Sequence, residues 1–187
     1  LLILIPLLVF LTACSSLNGT RLEPVMGSDI NWVKLGDKIA NTLVTQSFPP
    51  LYPREQEQPV IVTTLVENKH LDKTTDFGRN LQNTITAGLV KRGYSAKEMK
   101  LRGDILVKVD EGEFMLSRNL QDIAVKQKAQ AVVVGTYTRA NRVMYLSVRL
   151  VSPGDRIIRS TFEDRFYLDE NSLKMLNLQF AQPAGTG

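Results

Sequence analysis

Tyr137, Arg139, Arg142 and Tyr145 crowd about one short turn in VVVGTYTRANRVMYLSV. Arg and Tyr carry much of the energy of protein interfaces, because each combines a large contact area with a polar handle. The four form a candidate partner patch; the competing reading is an exposed hairpin whose long side chains cover the sheet. Other reactive side chains converge less well. His70 is the only histidine, and Glu67, Asp72 and Asp76 lie near it in a polar stretch. One imidazole with scattered carboxylates is a poor zinc set. A nucleophile would need a base and an orienting turn such as G-x-S-x-G, which is absent. Asp110-Glu111-Gly112-Glu113 lacks the alternating oxygen ligands and distal Glu of a calcium loop, and reads as a charged turn. Neither G-x-x-x-x-G-K nor G-x-G-x-x-G occurs, so no phosphate cradle is expected. The residues therefore predict no catalytic group, no metal, no cofactor and no small-molecule substrate. The net charge of +4 is spread without a basic block, which argues against nucleic acid.

One reactive group remains, the lone thiol of Cys14. It follows LLILIPLLVF and then Leu11-Thr12-Ala13, an uncharged run over residues 1–13. A bilayer-crossing helix needs about 20 apolar residues. This run is too short, contains Pro6 and passes at once into polar residues, as the apolar core of a secretory signal peptide does. With no starting Met and no positive leader, the sequence is expected to begin inside that signal. Leu-Thr-Ala-Cys resembles the lipobox of bacterial lipoproteins: an apolar residue, two small ones, then cysteine. The resemblance implies a diacylglycerol on the Cys14 sulfur and cleavage just before it. A thiolate is the nucleophile such thioether chemistry needs, and two or more acyl chains anchor firmly where one does not. Ser15 in place of Asp implies sorting to the outer membrane. Residues 14–27 then read as the lipidated cysteine and a tether, able to reach roughly 40 Å when extended.

The elements that must position any site begin after the tether. Ser28 or Asp29 is expected to cap a helix to about residue 47, with Ile30, Trp32, Val33, Ile39, Ala40, Leu43 and Val44 on its apolar face. PVIVTTLV at 59–66 is a buried strand and 67–75 a polar loop. Thr75 or Asp76 caps a second helix whose stripe is Phe77, Leu81, Ile85 and Leu89, ending at Lys91-Arg92-Gly93. Strand, crossover and helix open a βαβ unit. A short edge strand is expected over 94–101 and a weaker strand over 105–109. Ser117 is expected to cap a helix over 118–128 with Leu120, Ile123, Ala124 and Gln127 inward. Strands over 131–139, 143–151 and 156–167 form an antiparallel meander, with Ile158, Phe162 and Phe166 on one face of the last. The fold class is α/β (α+β): helices packed on a mixed β-sheet with a C-terminal antiparallel meander. The domain is expected over 28–168, with a tail at 169–187 that holds one or two helical turns.

TTDFGRNLQNTITAGLVKRGY (74–94), GEFMLSRN (112–119) and AQAVVVGTYTRANRVMYLSVRLV (129–151), in this order behind a lipobox, resemble the FlgO family of flagellar outer-membrane lipoproteins. The resemblance spans about residues 30–167. It implies a non-enzymatic accessory role in flagellar assembly or motility at the outer membrane, beside other outer-membrane or basal-body proteins. It implies no catalytic residue, and Cys14 as the lipid attachment site. Physical roles can be assigned without it. Gly78 permits close backbone approach, Phe77 anchors its helix on the sheet, and Gly135 marks a bulge or close packing in mid-strand. Phe114 and Leu116 face one side of a short extended segment. A small α/β domain behind a lipid tether also resembles lipoprotein activators of peptidoglycan synthases and the curli secretion lipoprotein. The alternative function is accordingly a periplasmic regulator or export component.

Overall fold

The structure is a computed structural model and describes residues 30–52, 56–100 and 118–177. Cys14 and the leader, the tether, the Ser28 and Asp29 caps, the strand at 105–109, the turn at 110–113, Phe114, Leu116, Ser117 and the end of the tail lie outside the described residues.

Helix α1 is Trp32–Thr45. Its cap is Asn31, two or three residues later than the expected Ser28 or Asp29, and the Asn31 side-chain oxygen accepts the Lys34 N–H at 2.9 Å. Leu35, Ile39, Ala40 and Leu43 face the core, while Val33, expected on that face, is 62% exposed. Helix α2 is Asp76–Lys91, capped by Thr75. All four residues of its predicted stripe are buried. Arg92 binds Asp37 at 2.7 Å and the Gly88 carbonyl at 2.7 Å, which ties the end of α2 to α1.

Seven strands form one mixed sheet among the described residues. They are β1 Val60–Thr63, β2 Val66–Glu67, β3 His70–Thr74, β4 Ala96–Met99, β5 Ala131–Ala140, β6 Val143–Val151 and β7 Ile158–Tyr167. β1 and β2 lie in succession along one edge of β5, both parallel to it. β4 pairs parallel to β1, which completes the βαβ unit. β5, β6 and β7 make the antiparallel meander. Helix α3 (Arg118–Lys126) precedes β5, and helix α4 (Glu170–Met175) follows β7.

Four further expectations about the fold need correction. The polar loop at 67–75 contains an antiparallel pair, β2 with β3. Polar residues suit β3 because it ends the sheet, where charged side chains deter further pairing. The single strand at 59–66 breaks after Thr63, and Leu65 turns beneath α2. Ile158 is 45% exposed because the register of β6 and β7 shifts between Leu150 and Val151. The domain does not stop at 168: Leu168, Leu173 and Leu176 are buried in the main core, so α4 belongs to it.

The sheet separates two apolar layers. The larger holds α1, α2 and α4 against Val60, Val62, Val133, Leu146, Val148 and Phe162. The smaller holds Leu120 and Ala124 of α3 against Ile61, Val132, Val134 and Val151. Gly135 sits where close packing was expected: a Cβ there would meet the Leu65 Cγ at 2.7 Å.

Candidate functional site

Alternation along the meander decides which side chains reach solvent. Met144, Leu146, Val148 and Leu150 point into the main core, so Tyr145, Ser147 and Arg149 point to the opposite face. The register sets Thr136 beside Ser147 and Thr138 beside Tyr145 on one side. On the other it sets Glu163 beside Ser147 and Arg165 beside Tyr145. These residues, with Asn68, line an open depression of about 640 Å³. The Ser147 hydroxyl donates to Glu163 Oε1 at 3.3 Å. Tyr145 is 52% exposed. The surface offers hydroxyls, guanidinium groups and one tyrosine ring, which suits recognition by hydrogen bonds and ion pairs. No imidazole or thiol lines it, and His70 stands exposed on β3. Among the described residues no three His, Cys, Asp or Glu side chains gather to hold a metal.

The predicted patch of Tyr137, Arg139, Arg142 and Tyr145 is not one surface. Tyr137 is 1% exposed and lies in the main core. Its hydroxyl is 2.8 Å from Thr75 Oγ1, and its ring meets Phe77 edge-on at 4.9 Å. Trp32 packs against Phe77 at 4.9 Å and Phe166 at 6.3 Å, extending the aromatic cluster. Burial pushes the Tyr137 phenol above its usual range, against the hydrogen bond with Thr75. Arg139 donates to the Asn141 carbonyl at 3.3 Å, within the turn. Arg142 reaches the Tyr167 hydroxyl at 3.5 Å. Only Tyr145 belongs to the open face. Nearness in sequence grouped the four, and strand alternation separates them.

A second surface was missed. Phe48 and Tyr52 are 81% and 73% exposed, and Ile157 and Ile158 stand close by in β7 and its approach. The Phe48 N–H donates to the Arg159 carbonyl at 3.0 Å. The Arg159 guanidinium donates to the carbonyls of Pro49, Pro50 (2.8 Å) and Gln130 (3.2 Å). This loop is fastened while its aromatic rings face water. The sequence signal for it is Phe48 followed directly by the proline-rich PPLYP, which carries no apolar period.

A family model described as FlgO protein matches residues 37–171, which include every described strand. The chain belongs to the FlgO family. No curated protein matches this FlgO-family chain. Among solved structures it is similar to the C-terminal domain of LpoB from Salmonella enterica, at 12% identity and a TM-score of 0.44, over 74% of this chain and 99% of that one. It is also similar to PelC from Paraburkholderia phytofirmans, solved as a dodecamer, at 13% identity and a TM-score of 0.40, over 63% and 77%. A lipoprotein from Neisseria meningitidis gives 12% identity and a TM-score of 0.39, over 60% and 82%.

Proposed function

We propose that this FlgO-family protein is an outer-membrane lipoprotein with a non-enzymatic structural role in flagellar assembly or motility. The family match across residues 37–171 carries the reading. Cys14 bears the lipid, residues 1–13 are the signal, and residues 15–27 are the tether. Among the described residues no helix is long and apolar enough to cross a membrane. The domain acts by binding: its open sheet face and its fixed aromatic loop are surfaces for neighbouring flagellar outer-membrane or basal-body proteins. The test is Cys14→Ser in the full-length gene, followed by fractionation and swimming. Loss of membrane association together with impaired swimming is the expected result. Retained membrane association would overturn the lipid anchor. Lost anchoring with normal swimming would overturn the flagellar role and favour a periplasmic regulator or export component.

A further inference from the structure

Among the described residues β7 pairs only with β6 and no strand covers its outer edge, although the Arg165 N–H on that edge donates to Asp164 Oδ1 at 2.9 Å. The Leu168 N–H donates to the Arg142 carbonyl at 2.7 Å, so position 168 points its backbone toward β6. In an antiparallel ladder this direction alternates. The backbone groups of 160, 162, 164 and 166 therefore pair inward, and those of Thr161, Glu163, Arg165 and Tyr167 point outward. The Arg159 carbonyl, which accepts from Phe48, shows that this outward row can take a partner. Thr161, Glu163 and Arg165 are exposed.

We propose that β7 pairs with β7 of a second copy of this chain, antiparallel about a two-fold axis at Asp164, which joins two sheets into one. The charges select both partner and register. With Asp164 opposite its own copy, Glu163 faces Arg165 of the second chain and Arg165 faces its Glu163. Thr161 then faces Tyr167, and the Arg165 N–H exchanges Asp164 Oδ1 for the Glu163 carbonyl of the second chain. Sliding by one ladder step either way sets Glu163 against Glu163 or Arg165 against Arg165. Opposite charges directly across a ladder stabilise and like charges destabilise. An edge that would deter indiscriminate pairing is thus complementary to itself in one register. On the helix side the two Asp164 carboxylates meet at the axis. Each is already held by its own Lys38, with Nζ 3.1 Å from Oδ2 and 5.2 Å from the Phe162 ring centroid. Two ammonium groups therefore flank the two carboxylates.

The experiment is a charge exchange in the full chain, read by sedimentation in mild detergent, with circular dichroism confirming the fold. Wild type should associate as a dimer in a concentration-dependent manner. Glu163→Arg alone places two Arg–Arg pairs across the axis, and Arg165→Glu alone places two Glu–Glu pairs. Each should weaken the dimer about tenfold or more. The double exchange restores two opposite-charge pairs and should return the dissociation constant to near the wild-type value. A wild-type chain that stays monomeric at every concentration overturns the proposal. So does a double variant as weak as the single ones.

Discussion

Gly78→Ala sets local helix propensity against packing, and the two predict opposite signs. Alanine is favoured over glycine inside a helix by about 1 kcal/mol. Position 78 lies in the first turn of α2, directly over Leu65. A Cβ there would lie 2.0 Å from the Leu65 carbonyl oxygen and 3.0 Å from its carbon. An ordinary contact requires the helix start to retreat by more than about 1 Å. The obstacle is backbone, so no rotamer change relieves it. Overpacking of this kind costs about 1–3 kcal/mol, occasionally more. The retreat also strains the cap, because the Gly78 N–H donates to Thr75 Oγ1 at 3.2 Å and a lost cap costs about 1 kcal/mol. The net expectation is destabilisation by about 2 kcal/mol. Gly154→Ala is the control, since nothing lies within 4 Å of its added Cβ; it should fall within about 0.5 kcal/mol of wild type. Urea unfolding followed by circular dichroism measures both. A Gly78→Ala chain as stable as wild type would refute the packing argument.

Gln82→Leu should cost about 2–4 kcal/mol in the same assay. The buried amide donates to Val62 O at 2.8 Å and Met99 O at 3.1 Å and accepts from Thr64 at 2.9 Å, and leucine replaces none of these bonds. Tyr137→Phe should cost about 1 kcal/mol, because Thr75 Oγ1 loses a partner. Burial raises the Tyr137 phenol above its ordinary value of 10.0, so its contribution is complete below that pH and is lost as pH rises beyond it. Wild type should therefore lose stability above about pH 10 more steeply than Tyr137→Phe in pH-dependent melts. Asp169 behaves in the opposite sense. Desolvation opposes its ionisation, yet hydrogen bonds from the Ser172 side chain and from the N–H groups of Ser172, Ile30 and Asn171 hold it below 3.8. That stability is present above 3.8 and is lost as pH falls further, so Asp169→Asn should flatten the acid limb of the melting curve.

Elements with a full apolar period were legible. The stripe from Phe77 to Leu89 named α2, and alternation over 143–151 named β6, because burial on one side leaves a periodic trace. The missed elements lack that trace. HLDKT reads as loop because β3 ends the sheet and needs no apolar face. Gln82 is buried by a demand of the backbone, two carbonyls between β1 and β4, and no hydropathy pattern records such a demand.

The open face was within reach of the same reasoning. β5 is apolar at every position from Ala131 to Val134, then polar at Thr136 and Thr138 while Tyr137 stays inside. A strand covered on both sides reads as a continuous run, and one covered on one side alternates. The change after Gly135 therefore marks where α3 stops covering the sheet and the depression begins. Parity then sends Tyr137 inward with Val133, and Tyr145 outward with Ser147 and Arg149. Parity also sets Glu163 and Arg165 on the same face two residues apart, the spacing that makes the β7 edge complementary to itself. One alternation rule, carried across three strands, thus sorts buried tyrosine from exposed tyrosine and places both the open face and the self-complementary β7 edge on the meander.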